Sequence, residues 1–140
     1  MTLERLLYVS QSQLAPDRAG DELRELVDQA IRRNRGLGVT GGLIFTGHRF
    51  AQWLEGPADA VDRLFRAIQG DARHTGVQVI LRGPADERLF PDWNLAFSGS
   101  SLFVDRRIKA CLGSDGARDA GARRDLEKLM REFAERALVH

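Results

Sequence analysis

The chain has 140 residues, 43% of them hydrophobic and 29% charged, which is the size and composition of one globular domain rather than of a disordered chain. A single cysteine excludes an internal disulfide framework and any cysteine-rich zinc site, and a net charge of +1 gives no overall field that would attract nucleic acid. No apolar run approaches a membrane span, so we expect a soluble domain in the cytoplasm whose direct partners include neither membrane nor nucleic acid.

The first half of the chain predicts a strand, a helix and a hairpin. Residues 3–10 alternate as a strand does, and the helix capped by Asp21 carries apolar side chains at positions i, i+3, i+4 and i+7. Gly36 suits the left-handed position just beyond the end of that helix. Strands over 39–46 and 50–55 then flank a tight connection, which is typical of a hairpin.

The second half of the same region predicts another helix followed by two strands. Pro57 is placed to open the helix, and strands are expected over 77–81 and 92–97. The resulting order, β-α-β-β-α-β-β, is the ferredoxin-like pattern with one strand added. We therefore expect an α+β fold with two helices on one face of the sheet. The apolar stripe of the second helix consists of Val61, Leu64, Phe65 and Ile68.

The C-terminal region differs in composition from the rest. Residues 98–101 predict a flexible break, 102–112 a short helix, and 123–139 an amphipathic helix. We therefore divide the chain into a domain over 1–97 and a helical extension over 98–140. The extension either packs on the sheet face that the first two helices leave open or joins a partner chain. Its apolar side consists of Leu126, Leu129, Met130, Phe133 and Ala137.

Familiar catalytic and cofactor motifs are weak here. Residues 36–41 spell G-x-G-x-x-G, but they follow a helix and lead into a strand, whereas a dinucleotide fingerprint follows a strand and opens a helix. The histidines lack the spacing of metal ligands, so no metal site is expected. Arg32, Arg33 and Arg35 form a basic cluster near the helix end, which complements the helix dipole or, alternatively, contacts a ligand phosphate.

The most informative positions are polar residues within apolar rows. Gln52 alternates with Phe50 and Leu54, Tyr8 shares a row with apolar side chains, and Asn34 continues the buried stripe of the first helix. Buried amides and hydroxyls need partners. Because the first and third strands of this fold are neighbours, Tyr8 and Gln52 are expected side by side with Asn34 above them. One interpretation is a structural hydrogen bond; the other is a pocket for a planar heterocycle with amide-like edges.

Five short motifs in order resemble the BLUF domain, the flavin-based sensor of blue light, over residues 3–97. Any one of them is weak alone, but together at this spacing they make a strong signal. They are L-x-R-L-x-Y-x-S (3–10), N-x-x-x-G-V-T-G (34–41), F-x-Q-x-L-E-G (50–56), D-x-R-H (71–74) and R-x-F-x-x-W (88–93).

The resemblance implies that a flavin ring lies between the first two helices, over the sheet. It implies that Tyr8 donates an electron and a proton to the excited flavin, and that Gln52 bridges the tyrosine to the flavin and rearranges. It also implies that Asn34 bonds the amide edge of the ring and that Arg73 faces the opposite carbonyl. The other contacts implied are Val27, Ile31, Leu43, Phe50, Leu54, Ile68, Asp71 and His74.

Two departures from the family pattern concern the rim and the output. Ala67 stands where the family commonly has arginine, and Leu95 where it usually has methionine. The resemblance implies that Trp93 and Leu95 belong to the signal-output segment, with Trp93 pointing either toward the flavin or toward solvent.

The expected function is that of a short, stand-alone BLUF photoreceptor without an attached effector. It would bind FAD, with FMN and riboflavin as other flavins that fit, form a homodimer or higher homo-oligomer, and signal through a protein partner. It is not expected to be an enzyme. The alternatives are a flavin-free interaction module and a small redox enzyme on the same scaffold, although no nucleophile or acid/base pair stands out to support an enzyme.

Overall fold

The computed structural model describes residues 3–14, 19–99, 102–112 and 119–138. The order of their elements confirms the predicted β-α-β-β-α-β-β succession followed by helices. The strands are β1 (Leu3–Ser12), β2 (Thr40–Phe45), β3 (Arg49–Pro57), β4 (His74–Ala85) and β5 (Ala96–Gly99). The helices are α1 (Ala19–Leu37), α2 (Ala58–Gln69), α3 (Leu102–Ala110) and α4 (Ala120–Leu138).

The described strands form one sheet in the order β4-β1-β3-β2-β5. Every neighbouring pair is antiparallel except β2 and β5, which run parallel. This is the ferredoxin-like arrangement with β5 added at the β2 edge, so the predicted α+β fold is confirmed. The first and third strands are indeed neighbours, and their register places Tyr8 opposite Gln52.

The alternation of side chains divides the core between the two faces of the sheet. On one face, Leu6, Tyr8 and Leu54 pack against α2, and Leu43 and Phe50 pack with residues of α1. The two helices therefore share a face, as predicted. We call this the α1–α2 face.

The opposite face is covered by the C-terminal helices, which is the first of the two arrangements proposed for them. Leu7, Val9 and Trp53 cluster there with residues of α3 and α4. The packing is close, because a Cβ added to Gly42 would come within 2.6 Å of the Phe90 ring, which itself contacts Phe133. Small size is therefore required at this point of β2. We call this the α4 face.

A buried carboxylate organises the α4 face where β2, β3 and the segment after β4 meet. Glu55 Oε1 accepts hydrogen bonds from Trp53 Nε1 (2.9 Å) and the Leu89 amide (2.7 Å). Its Oε2 accepts from Thr40 Oγ1 (2.9 Å) and the Phe90 amide (2.7 Å). The side chain is 1% exposed, and both its oxygens are supplied with donors, as a buried charge requires.

Several predicted boundaries were wrong. Gly36 lies within α1, and it is Gly38, with φ of 69°, that adopts the left-handed conformation. The fifth strand begins at Ala96 instead of residue 92, because the chain still turns there: the Trp93 amide donates to the Phe90 carbonyl at 3.3 Å. Parallel pairing with β2 then carries β5 to Gly99, through half of the break predicted over 98–101; residues 100–101 lie outside the described residues.

The last helix begins earlier than predicted. Asp119 Oδ1 accepts hydrogen bonds from the amides of Gly121 and Ala122 at 2.9 and 3.1 Å, which caps the helix, and α4 therefore begins at Ala120, three residues before the expected start at 123. The side chain of Ala137 and residues 139–140 lie outside the described part of the chain. No described helix is both long and apolar enough to cross a membrane.

Candidate functional site

The centre of the α1–α2 face holds a buried pair of polar side chains. Tyr8 and Gln52 face each other across β1 and β3, and the Tyr8 hydroxyl donates a hydrogen bond to Gln52 Oε1. Both residues are buried. Burial raises the pKa of Tyr8 far above its ordinary value, and the positive charge of Arg33 offsets only part of this rise. The phenol is therefore held in its protonated form, with its proton directed at the glutamine oxygen.

Asn34 lies fully buried near the end of α1 and is only half satisfied. Its Nδ2 donates to the backbone carbonyl of Asn94 at 2.8 Å, just before β5. Its Oδ1 is also buried, and no group among the described residues donates to it. An amide oxygen left in this state costs free energy, so the position is suited to a ligand that supplies a donor.

His74 stands at the start of β4, beside the Tyr8–Gln52 pair. Its Nδ1 is 2.9 Å from Ser10 Oγ, and its ring lies 4.6 Å from the Phe50 ring and 6.2 Å from the Tyr8 ring, measured between centroids. Burial lowers the pKa of His74 to about 4, although the nearby carboxylate of Asp71 acts in the opposite direction. The imidazole is therefore neutral at pH 7 and forms an uncharged wall of the site.

The loop between α2 and β4 places an ion pair at the rim. Arg73 Nη2 lies 2.7 Å from Asp71 Oδ2, and Arg73 Nη1 donates to Gln29 Oε1 on α1 at 3.3 Å. The hydrogen bonds from Arg73 hold the pKa of Asp71 below its usual range, and the same bonds raise the pKa of Arg73. The loop thereby links the C-terminal end of α2 to α1 and fixes the Arg73 guanidinium in place.

Apolar side chains surround the polar centre. Leu43, Phe50, Leu54 and Ile68 are buried, as a site for a planar ring requires, whereas Val27 and Ile31 on α1 are half-buried. All six lie on the α1–α2 face, where they were expected.

A cavity of about 470 Å³ opens between α1 and α2. Two members of the basic cluster, Arg32 and Arg33, line it together with Arg63 of α2. Its lining includes none of the residues to which the resemblance assigns flavin contacts, such as Tyr8, Asn34 and Gln52. Its lining is completed by Gly36, Leu37, Leu64 and Ala67.

The family model described as "BLUF: Sensors of blue-light using FAD" matches residues 3–96, about two thirds of the chain. This chain belongs to the BLUF family. The predicted family membership is therefore confirmed, and with it membership of a class of flavin-binding blue-light sensors.

Individual BLUF relatives support the same assignment. The chain is 39% identical over 104 residues to photoactivated adenylate cyclase subunit beta of Euglena longa, covering 74% of this chain and 12% of that protein. It is 39% identical over 88 residues to the blue light- and temperature-regulated antirepressor BluF of Escherichia coli strain K12, covering 63% of this chain and 21% of that one. This chain thus spans only a small fraction of these curated relatives.

Among solved structures, BlrB, a BLUF protein in its dark state, is similar over almost the entire chain. The match has a TM-score of 0.76 and 32% identity, and it covers 96% of both chains. The similarity therefore extends beyond the BLUF core to the C-terminal helices.

The two residues that the BLUF resemblance assigns to output differ in their burial. Leu95 is 4% exposed and packs with Leu43 and the α1 residues of the site. The Trp93 side chain is 37% exposed, while its carbonyl accepts a hydrogen bond from the Gly41 amide at 3.0 Å. The segment before β5 thus reaches the BLUF core through Leu95 and solvent through Trp93.

Sequence reasoning missed three residues that support the site. Ser10 Oγ is hydrogen-bonded to His74 Nδ1, and Gln29 Oε1 accepts a hydrogen bond from Arg73. The Asn94 backbone carbonyl accepts a hydrogen bond from the Asn34 side-chain amide. Ser10 could have been found, because it shares a strand face with Tyr8. The partners of Arg73 and Asn34 come from distant segments, and no periodicity in the sequence pairs them.

The residues present fit a flavin ring. The amide edge of oxidised isoalloxazine carries one N–H donor, at N3, between two carbonyl acceptors. Asn34 Oδ1 is a buried acceptor that lacks a donor among the described residues. The Gln52 oxygen accepts a hydrogen bond from Tyr8, so the Gln52 NH2 group is the part of that amide that can donate to a ligand. Both sides of the ring's hydrogen-bonding pattern therefore have complementary groups on this face.

Proposed function

We propose that this chain is a blue-light photoreceptor that binds a flavin non-covalently between α1 and α2, and that Tyr8 and Gln52 carry the photochemical response. The observation that supports this most strongly is the buried Tyr8–Gln52 pair, which lies on the face where Asn34 has an unsatisfied acceptor. A buried acceptor that no described residue supplies with a donor is better explained by a ligand than by a purely structural role.

The bound flavin would supply blue-light absorption and an acceptor for the electron. Tyr8 would be the electron donor, and its proton stays on the hydroxyl in the resting state because burial makes the neutral phenol much more stable than the phenolate. Asn34 and Gln52 would orient the ring, and the Arg73–Asp71 ion pair would lie at its rim. The neutral His74 and the apolar walls restrict water around the pair.

Gln52 is suited to store two states. Its amide presents an acceptor on one side and donors on the other, so exchanging the two, by rotation or by a change of tautomer, reverses the hydrogen-bond pattern. In the present state Gln52 Oε1 accepts a hydrogen bond from the Tyr8 hydroxyl. Reversal would break that bond and exchange the donor and acceptor that the Gln52 amide presents to the ring. A local change of this kind can bias the surrounding structure.

FAD is the flavin we propose, with FMN as the closest substitute. Arg32, Arg33 and Arg63 line the cavity between the helices, and a phosphate there would be matched by guanidinium groups. Riboflavin has no phosphate, so it should bind more weakly.

Output would pass to another protein rather than to a chemical reaction of this chain. The relatives named above include a cyclase subunit and an antirepressor, each much longer than the region that matches. We propose that this chain acts in the cytoplasm as a homodimer or higher homo-oligomer, that it catalyses no turnover, and that the Trp93–Leu95 segment communicates the state of the site.

The decisive experiment is an absorption spectrum of the protein reconstituted with FAD, recorded before and after blue illumination. A red shift that reverses in the dark is expected. Gln52→Leu should bind flavin but show no shift, and Tyr8→Phe should lose it too, since the donor is removed. Gln69→Leu, at an exposed glutamine on α2, is the matched control and should shift normally. A protein that stays colourless, or a normal response in Gln52→Leu, would contradict the proposal.

A further inference from the structure

Asn34 takes part in a closed ring of hydrogen bonds with two other residues. The Asn34 side-chain Nδ2 donates to the Asn94 carbonyl at 2.8 Å. The Asn94 side-chain Nδ2 donates to the Val39 carbonyl at 3.1 Å. The Val39 amide donates to the Asn34 carbonyl at 2.9 Å, which completes the ring. The end of α1, the residue before β2 and the residue two before β5 are thus joined at one point.

The ring determines which end of the Asn34 amide is left without a partner. An asparagine amide can present either its oxygen or its nitrogen, and the two are distinguished only by their partners. Here the nitrogen is committed to the Asn94 carbonyl, so the oxygen must take the opposite direction. That oxygen is the buried acceptor for which the described residues supply no donor.

We propose that Asn94 is a positioning residue that, through this ring, makes the site specific for a ligand edge carrying an N–H donor opposite Asn34. The inference rests on the proposed flavin binding and adds the reason why the site would select a ligand with an N–H donor at this position. Asn94 acts at one remove, since its side chain fixes its own backbone carbonyl and that carbonyl fixes the Asn34 amide.

The only N–H of an oxidised isoalloxazine is at N3, and this gives the proposal a chemical probe. A flavin methylated at N3 keeps the ring and the side chain but has no donor, so it would leave Asn34 Oδ1 buried and unsatisfied. A polar group built to pair with a ligand rejects an analogue lacking the complementary group. If the Asn34 amide were free to turn over, its NH2 would face a flavin carbonyl and the two ligands would bind more equally.

The experiment compares the dissociation constants of FMN and N3-methyl-FMN, measured by quenching of flavin fluorescence. We expect the native protein to prefer FMN by about tenfold or more. Asn94→Ala should reduce that preference to less than about threefold, mainly by weakening FMN. Asn94→Asp keeps the shape but cannot donate to the Val39 carbonyl, so it should behave similarly. Asp92→Ala, at an exposed residue of the same segment, is the matched control and should keep the full preference.

The ratio of the two constants separates positioning from a general loss of structure. If Asn94 only stabilised the segment before β5, both ligands would weaken equally and the ratio would stay as in the native protein, which would overturn the proposal. A native protein without preference for FMN would also overturn it while leaving flavin binding intact. Failure to bind either flavin would instead contradict the proposed function. Should Asn94→Ala not fold, the isosteric Asn94→Asp supplies the same comparison.

Discussion

Two buried polar side chains on opposite faces of the sheet, Glu55 and Asn34, differ in how completely they are hydrogen-bonded. On the α4 face, Glu55 receives four hydrogen bonds from described groups, and each of its oxygens has two. On the α1–α2 face, Asn34 uses its nitrogen, while its oxygen meets no donor in the described part of the chain. Both side chains are almost completely buried, so their exposure does not explain the difference.

The difference indicates different roles for these two residues. A satisfied buried carboxylate rigidifies the structure around it and is costly to disturb. A half-satisfied amide lowers the stability of the free protein and becomes complete only when a ligand arrives. Glu55 is thus suited to maintaining the fold, whereas Asn34 is suited to binding a ligand.

The largest expected effect is the removal of Glu55. In Glu55→Ala, two side-chain donors and two backbone amides lose their acceptor, and we expect the free energy of unfolding to fall by about 3–5 kcal/mol in urea denaturation. The spectral response to light should persist in whatever fraction remains folded. Glu132→Ala, at an exposed glutamate of α4, should change stability by less than about 0.5 kcal/mol. A loss below about 1 kcal/mol in Glu55→Ala would contradict the assignment of a structural role.

A second expected effect concerns pH and His74. The pKa of His74 in the folded protein is lowered to about 4, whereas the unfolded chain has the ordinary value of about 6.5. As the pH falls through 6.5, the unfolded state binds a proton that the folded state does not. The free energy of unfolding therefore declines from pH 6.5 to about 4. Below that pH both states carry the proton, and this group causes no further decline. The decline amounts to about 3 kcal/mol for flavin-free protein.

Variants identify the group responsible for this pH dependence. His74→Asn removes the titration, so its unfolding free energy should change much less between pH 6.5 and 4. His48→Asn, at an exposed histidine in the hairpin, should keep the native dependence. An unchanged slope in His74→Asn would mean that other groups carry the effect.

The sequence predicts the succession of elements well, because that succession depends on local periodicity. The pairing of Tyr8 with Gln52 could also be predicted, because the fold makes their strands neighbours and the alternation of side chains determines which face they share. The start of β5 could not be predicted, because it depends on pairing with the distant strand β2 and on a turn closed by the hydrogen bond from the Trp93 amide to the Phe90 carbonyl. The contact between Asn34 and Asn94 joins residues 60 positions apart, and no spacing rule indicates it.

The smallest expected effect on stability is also the most direct test of the contrast between Asn34 and Glu55. Asn34→Leu removes a hydrogen bond to the Asn94 carbonyl, but it also removes the buried oxygen for which the described residues supply no donor, and it adds apolar surface. These contributions nearly cancel, so flavin-free protein should change by less than about 1 kcal/mol in urea denaturation, despite the complete burial of the position.

The same variant should differ from the native protein once flavin is added. A ligand at one hundred times its dissociation constant stabilises the folded state by about 2.7 kcal/mol, and Asn34→Leu should lose much of this gain because its affinity is lower. The effect would then appear only in the bound state. If flavin-free Asn34→Leu were instead destabilised as severely as Glu55→Ala, Asn34 would be a structural residue like Glu55, and the two residues would not differ in the way their hydrogen bonds indicate.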